Sequence, residues 1–373
     1  MSNSKELFAR NLKKCRLAAG LSQVKLAQNL SYTGKAVSKW ESGTTLPPAE
    51  ILPKLAKALD TDLNTLFDFR EAPSYFLGID GGGTKTRFMI TDINGNTIKT
   101  LTLGACNPAS VGMDTTISIL NEGIKTICDG IPTGKISVFA GIAGCGVGKN
   151  RKTVLSVFDK FKFSKADASN DAENIISAGL QGKDGIIAIL GTGSVIFTVS
   201  NGIRRRIGGY GHIIGDCFSG SEFGKICLKS AFYHIDGSGP HTAMTEKVKN
   251  KLGNDIFIGL SELYSQDKAY MASFAPDFFE ACAENDALAL RALEDNINML
   301  STQLTAALKH FPPEDSVPIV LSGGITNFSA QFLNKLKSKI TDERLKTVEI
   351  FSGEPVSGAV LLAGAPTVRN DAI

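Results

Sequence analysis

Long hydrophobic segments are missing from this 373-residue chain. The nearest candidate, residues 185–200, is interrupted by Thr192, Ser194 and Thr198, and it is shorter than the roughly 20 apolar residues that cross a bilayer. Residues 1–14 are polar and charged, without the hydrophobic centre of a secretory signal. We therefore expect no membrane partner and a cytoplasmic location.

Signals for cysteine pairing or metal binding are also missing. The seven cysteines are an odd number, with no Cys-x-x-Cys pair and no close Cys/His cluster. Free thiols in a reducing compartment are the simple prediction, and a structural zinc is not expected. Cys145 and Cys217 lie near glycine-rich loops, but we expect them to be small buried hydrophobic residues.

Charge is distributed unevenly along the chain. Residues 1–70 carry 11 Lys and Arg against 6 Asp and Glu, whereas the remaining residues carry 29 against 31. A basic head on a near-neutral body is typical of a nucleic-acid-binding module joined to a larger partner.

The head has the apolar spacing of five short helices. Ser22 and Thr33 are suited to cap the second and third helices, and Gly20 ends the first. The predicted helices cover residues 6–17, 22–30, 34–42, 47–59 and 63–67. The tight turn between the second and third helices has helix-turn-helix spacing.

The head resembles the Cro/C1-type (XRE) helix-turn-helix family. The matching residues are Leu21-Ser22-Gln23, Lys25-Leu26-Ala27, the segment 36–43, Pro47 and the segment 55–59. The resemblance implies operator DNA as a partner of residues 1–70, with the third helix in the major groove. It places Thr33, Lys35 and Ser38 at base edges, and Gln23 and Lys39 at phosphates or nearby bases. Trp40 is expected in the core, and a protein-binding helical bundle is the alternative.

A glycine-rich turn follows the head. An apolar run at 75–79 ends in Asp80, and Gly81-Gly82-Gly83-Thr84-Lys85 follows before a second apolar run and Asn94-Gly95, a hairpin signal. Glycines let the backbone approach a ligand, and their N–H groups can face a phosphate. Asp80 is suited to hold a hydrated Mg²⁺, which prefers carboxylates and water. An ordinary hairpin is the alternative.

A second copy of this pattern lies about a hundred residues later. An apolar run leads into Gly191-Thr192-Gly193-Ser194, and a β-branched run closes at Asn201-Gly202. Repetition of strand, glycine turn, strand and hairpin predicts two similar lobes that hold one polyphosphate.

Three motifs in this order resemble those of the actin-like ATPase superfamily. Asp80–Lys85 and Gly191–Ser194 match its two phosphate motifs, and residues 320–325, with Gly323 and Gly324, match its adenosine motif. The implied fold class is an α-helical DNA-binding head followed by a two-lobed α/β actin-like ATPase (ribonuclease H-like) fold. The expected bounds are a head at 1–70, a linker at 71–74, a first lobe at 75–187 and a second lobe at 188–373, whose last helix can return to the first lobe.

Two further segments resemble the BadF/BadG and N-acetylglucosamine kinase branch. They are Ser169-Asn170-Asp171-Ala172 and the segment 208–216. The resemblance implies ATP and Mg²⁺ as cofactors and Asp171 as the catalytic base, with capping of the next helix as the alternative role for Asp171. It assigns sugar contacts to Asn107, Asp171, Gly209, Tyr210 and Asp216.

The segment after Asp216 departs from the family pattern. The family continues Glu-Gly-Ser-Gly, whereas this chain has Cys217-Phe218-Ser219-Gly220. Residues 256–310 are predicted to be packed helices without readable chemistry, and Arg204-Arg205-Arg206 a solvated hairpin strand.

The combined expectation is a dimeric, sugar-responsive transcriptional regulator whose body binds ATP and phosphorylates or senses an amino sugar. Three alternatives stay open: a ligand-sensing repressor without turnover, a dehydratase-activating ATPase with an iron–sulfur cluster bridging two protomers, and a ROK-type repressor. The last lacks support because its cysteine-rich zinc segment is absent here.

Overall fold

The computed structural model describes residues 4–67, 72–253, 256–345 and 347–368. The chain divides into two units, a head of residues 1–72 and a body of residues 73–373. Most of the predicted linker, residues 68–71, lies outside the described residues. No helix in the described ranges is long and apolar enough to cross a membrane.

The head forms the five helices expected from its apolar spacing. They are α1 (Ser4–Ala18), α2 (Gln23–Asn29), α3 (Gly34–Glu41), α4 (Leu52–Ala58) and α5 (Leu63–Leu66). The fourth begins as a 3-10 turn at Ala49–Ile51, because Pro47 and Pro48 precede it. Their apolar faces enclose a core that includes Phe8, Leu26 and Trp40.

The first half of the body contains one mixed sheet. Its elements are β1 (Tyr75–Gly81), β2 (Lys85–Asp92), β3 (Thr97–Gly104), α6 (Pro108–Val111), α7 (Met113–Ile127), β4 (Ile136–Ile142), α8 (Asn150–Asp159), β5 (Lys165–Ser169) and α9 (Ala172–Leu180). The strand order is β3-β2-β1-β4-β5. The first three strands are antiparallel neighbours, whereas β4 and β5 continue the sheet in parallel with β1.

The second half repeats this topology with a large helical insertion. Its elements are β6 (Gly185–Leu190), β7 (Ser194–Ser200), β8 (Ile203–Ile207), α10 (Gly220–Ile235), α11 (Met244–Leu252), α12 (Ile256–Ser265), α13 (Lys268–Ala272), α14 (Ala275–Ala283), α15 (Ala287–Ala307), β9 (Ile319–Ser322), α16 (Ser329–Lys339), β10 (Val348–Ile350) and α17 (Pro355–Ala363). Read from its edge, the sheet runs β8-β7-β6-β9-β10. The predicted Asn201-Gly202 hairpin is present, with positive φ at both residues.

The last helix crosses back to the first sheet. Val356, Ala359 and Val360 of α17 pack with Phe76 and Phe139 of β1 and β4. Gly358 lets α17 cross α9 closely, because a Cβ atom there would collide with the carbonyl oxygen of Asn174. The two halves of the body are therefore joined through the crossing of α9 and α17.

Candidate functional site

The first glycine turn is a hydrogen-bonded hairpin, and the space around its glycines is open. The Gly82 N–H donates to the carbonyl oxygen of Lys85 at 3.0 Å. A Cβ atom on Gly82 or Gly83 would have no neighbour nearer than 3.5 Å. The exposed Thr84 and Lys85 complete the turn. This backbone is accessible to a phosphate group, whose oxygens would accept from its N–H groups.

Asp80 lies at the end of β1, where a buried amide fixes its carboxylate. Asn174 Nδ2 donates to Asp80 Oδ1 at 2.7 Å, and it also lies 3.2 Å from the carbonyl oxygens of Ile79 and Gly141. Burial raises the pKa of Asp80, the Asn174 hydrogen bond opposes this, and the nearby charge of Asp171 raises the pKa further. Asn174 therefore ties Asp80 to α9, the helix that begins just after Asp171.

The donor atoms around Asp80 suit a hard divalent cation. The Asn174 Oδ1 atom is buried and has no hydrogen-bond partner within the described ranges. The Asp80 carboxylate supplies an oxygen ligand, which Mg²⁺ prefers. Such a cation would offset the repulsion between Asp80 and Asp171. The residues present fit the predicted metal contact through Asp80.

Asp171 lies immediately before α9 with its carboxylate outside the helix cap. Asn170 Oδ1 accepts from the Ala172 N–H at 3.1 Å, whereas Asp171 makes no side-chain capping bond. Burial raises the pKa of the Asp171 carboxyl, and neighbouring backbone N–H groups partly oppose this. Asn170 therefore caps α9, and the Asp171 carboxylate remains available to a ligand.

The second glycine turn is fixed by hydrogen bonds from the N-terminal end of α10. The N–H groups of Gly220 and Ser221 donate to the carbonyl oxygens of Gly191 and Thr192 at 2.8 and 3.0 Å. The Ser194 hydroxyl donates to the Cys217 carbonyl oxygen. The predicted adenosine residues Gly323 and Gly324 lie close by, since they follow β9, which runs parallel to β6.

The two predicted sugar segments lie beside different turns. The Asn107 N–H donates to the Gly82 carbonyl oxygen at 3.2 Å, which ties this loop to the first turn. Asn107 Oδ1 accepts from the Ala109 N–H at 3.0 Å. Buried Asp216 lies beside the second turn, and its Oδ1 accepts from the Gly211 N–H at 3.1 Å.

The segment 208–217 borders a cavity of about 370 Å³. Gly208 and Gly209 both have φ of +69°, which favours glycine. Arg204, Arg205 and Arg206 are exposed on β8, as predicted, and Arg206 also donates to the carbonyl oxygens of both glycines, which stabilises this bend. Tyr210 is 70% exposed beside the cavity, where it can contact a ligand.

Cys217 and Phe218, the two residues that depart from the family pattern, are buried in the core. Phe218 is fully buried against Phe223 and Phe332, although its φ of +59° would suit glycine better. Its N–H donates to Asn296 Oδ1 at 3.1 Å. The Cys217 thiol donates to Gln303 Oε1 at 3.1 Å, and burial raises its pKa to about 11. Phe218 therefore does not occupy the ligand surface, and Cys217 is not a reactive thiolate.

Several residues that support the site lie outside the set predicted from the sequence. Three come from the segment 256–310, where the sequence predicts packed helices without readable chemistry: Lys268, Asn296 and Gln303. Tertiary packing brings them to the second turn, and no motif marks them. Asn174 had a usable signal, because it lies three residues after Asp171 and so falls on the same side of α9.

The predicted DNA-contacting residues of the head lie on α2, on α3 and at the N-cap of α3. Thr33, Lys35, Ser38 and Lys39 are exposed, and the Thr33 hydroxyl caps α3 by accepting from the Ala36 N–H. Gln23 Nε2 donates to Glu41 Oε2 at 2.7 Å, so its side chain is already oriented. Trp40 is buried, as predicted.

Comparison with protein families confirms both resemblances. The sequence profile of the BadF/BadG/BcrA/BcrD ATPase family matches residues 77–363, and a helix-turn-helix profile matches residues 12–66. The N-acetyl-D-glucosamine kinase of Dictyostelium discoideum is 31% identical over 312 residues, an alignment that covers 77% of this chain and 97% of that protein.

Solved structures agree on the fold class. A candidate N-acetylglucosamine kinase from Chromobacterium violaceum superposes with a TM-score of 0.62 at 24% identity, covering 79% of this chain and 100% of that one. A ROK family transcriptional regulator gives a TM-score of 0.52 at 12% identity, covering 97% of this chain and 96% of that one. At these identities, both similarities show the fold alone.

Proposed function

Because the chain belongs to the BadF/BadG/BcrA/BcrD ATPase family, we propose that it is a cytoplasmic, sugar-responsive transcriptional regulator whose body is an ATP-dependent amino-sugar kinase. The proposed substrate is N-acetylglucosamine or a related sugar, by analogy with the relative from Dictyostelium discoideum. The observation that carries the proposal is the Asp80 carboxylate beside an open glycine turn, joined through Asn174 to the helix that Asp171 precedes. The same chain contains a helix-turn-helix head.

In this proposal, residues of the two glycine turns and of the adjoining loops have separate roles in phosphoryl transfer. ATP supplies the phosphoryl group. The turns at Gly81–Thr84 and Gly191–Ser194 hold its phosphates through backbone N–H groups, and Asp80 orients the hydration shell of Mg²⁺. Asn107, Gly209 and Asp216 position the sugar. Asp171 would accept the proton of the sugar hydroxyl as that oxygen bonds to the γ-phosphorus of ATP and the bond to the leaving ADP breaks. The raised pKa of Asp171 suits a general base.

The head is proposed to bind operator DNA as part of a dimer. Thr33, Lys35 and Ser38 contact base edges, and Gln23 and Lys39 contact phosphates or nearby bases. One head of this size makes few base contacts, so useful specificity requires two heads on an inverted repeat about one helical turn apart. Binding falls steeply with salt because the lysines displace counterions from DNA.

A ligand sensor without turnover is the second candidate function. Cys217-Phe218 stands where the family carries a carboxylate and a glycine, so a group is lost beside Asp216. A dehydratase-activating ATPase is less favoured. A cluster shared by two protomers needs accessible thiols, whereas the six cysteines of the body are buried.

The first experiment is a thermal-shift screen of amino sugars with and without Mg-ATP, followed by a phosphorylation assay on each sugar that stabilises the protein. The kinase proposal expects synergy between sugar and nucleotide and formation of a sugar phosphate. Synergy without product supports the sensor. No stabilisation by ATP or ADP at millimolar concentration contradicts both.

A second experiment tests the link between the two units. Operator sequences are first selected from random DNA with the full-length protein, and sugar affinity is then measured with and without the selected duplex. If sugar changes DNA affinity, DNA must change sugar affinity by the same factor. Identical sugar affinities with and without the duplex would remove the regulatory coupling.

A further inference from the structure

Lys268, the first residue of α13, lies beside the second glycine turn. A Cβ atom placed on Gly193 would be 3.9 Å from Lys268 Nζ and 2.6 Å from Asp216 Oδ2. The ammonium group therefore reaches the turn that matches the second phosphate motif. We infer that Lys268 is a phosphate-binding residue that contacts the phosphate chain of the nucleotide at Gly191–Ser194. This inference rests on the proposed nucleotide-binding function.

Two glycines of α10 bring α13 to this position. Gly220 and Gly224 lie one turn apart and leave a flat stripe on the helix. A Cβ atom on Gly224 would collide with the Met271 carbonyl oxygen, and one on Gly220 would be 3.0 Å from the Ala272 Cβ. Because Gly220 also donates to the carbonyl oxygen of Gly191, the same face of α10 fixes both the glycine turn and α13.

Both ends of α13 are anchored, so the position of Lys268 is defined. At the N-terminal end, Asp267 Oδ1 accepts from the N–H groups of Ala269 and Tyr270 at 2.9 and 3.2 Å. After the C-terminal end, Lys251 Nζ donates to the Ser273 carbonyl oxygen at 2.6 Å. An anchored helix loses little further entropy when its lysine meets a ligand.

The charge of Lys268 is available for an anion. Its side chain is exposed, and within the described ranges it forms no salt bridge at 4.0 Å or less. Asp267 Oδ1 caps α13 and Asp216 Oδ1 accepts from Gly211, and neither carboxylate forms a salt bridge with Lys268 in the described part of the chain. A lysine acts as a point charge on phosphate oxygens, in addition to the backbone donors of a glycine turn.

The second turn needs such a cation more than the first. In the first turn, Asp80 can recruit a metal ion that neutralises phosphate oxygens. The corresponding position in the second turn is Leu190, which is fully buried and cannot bind a metal. Lys268 supplies the positive charge there from a distant part of the sequence.

Calorimetry with ATP, ADP and adenosine on full-length variants tests this assignment. We expect Lys268→Met to weaken ATP and ADP binding by about 10- to 100-fold and to leave adenosine binding unchanged, because hydrogen bonds to charged groups are worth that factor. Lys268→Arg should retain most of the affinity. Lys249→Met, at a partly exposed lysine of α11 paired with Glu246, is the control and should match the wild type.

A second variant tests whether the position of the Lys268 ammonium group matters as well as its charge. Gly224→Ala keeps Lys268 but displaces α13, so it should weaken ATP binding in the same direction without changing adenosine binding. Equal ATP affinity in the wild type and Lys268→Met, with ATP bound by both, overturns the assignment alone. Loss of sugar affinity instead of nucleotide affinity also overturns it, because Lys268 would then act on Asp216. Failure of the wild type to bind ATP overturns both this inference and the proposed function.

Discussion

The two halves of the body use one topology for different chemistry. Each half is a five-stranded sheet in which an antiparallel hairpin carries a glycine turn and two parallel strands extend the sheet. Asp80, which precedes the first turn, is half-buried and polar in its contacts, whereas Leu190, which precedes the second, lies in the largest core cluster. The first turn therefore has an adjacent carboxylate, that of Asp80, whereas charged groups reach the second turn only from distant parts of the sequence.

A similar difference separates the helices that follow the two sheets. Asp171 precedes α9, and within the described residues its carboxylate has no salt-bridge partner. Glu354 occupies the matching position before α17 and is paired with Arg87 of β2. The repeat thus places a carboxylate at both helix starts, but only the first is left for chemistry. Side chains outside the repeated backbone decide which copy becomes reactive.

The largest difference between the two helix starts is expected when each of the two carboxylates is neutralised. Asp171→Asn should reduce turnover by about 10²- to 10⁴-fold, while sugar and ATP binding change little, because only the proton acceptor is lost. Glu354→Gln should cause a much smaller loss. Steady-state kinetics with calorimetry on each variant measures both effects. Equal turnover in Asp171→Asn and the wild type would show that Asp171 is not the base.

A metal-dependence experiment tests the difference between the two turns. Asp80→Asn should weaken Mg²⁺-dependent ATP binding by roughly 10- to 100-fold, the usual cost of losing an outer-shell ligand. Binding of ATP without Mg²⁺ should change less, because the backbone donors remain. Ser194→Ala is the control in the second turn, and its effect should not depend on Mg²⁺. A loss that is the same with and without Mg²⁺ in Asp80→Asn would contradict a metal role.

The smallest expected effect is on the pH dependence of stability. Burial raises the pKa of Asp171 in the folded state, so its ionisation destabilises the fold increasingly as pH rises from the unfolded pKa, about 3.9, to the folded one. Asp171→Asn without ligand should therefore raise Tm at neutral pH, with a gain that disappears in acid. Asp342→Asn should do the opposite, because hydrogen bonds from Arg344 lower the pKa of Asp342. Thermal denaturation between pH 3 and 8 would show both signs.

Much of the fold and of the candidate site can be predicted from local patterns in the sequence. The glycine turns, the Asn-Gly hairpins and the cap at Thr33 are short-range features, and they lie where their residue types predict. The helix expected directly after Asp171 is present and spans Ala172–Leu180. The supporting residues could not be predicted in this way, because Asn296 and Gln303 meet the loop at 217–218 across about 80 residues of intervening chain.

The helix-turn-helix head and the repeated glycine turns of the ATPase body are readable from the amino-acid sequence, because particular residues favour their backbone conformations locally. The groups that serve each turn come together only through long-range packing. Asn174 contacts Asp80 because α9 packs across the ends of β1 and β4, and Lys268 reaches Gly193 because two glycines let α13 lie against α10. Such contacts depend on how closely helices approach one another, and that distance is set by packing across the whole core.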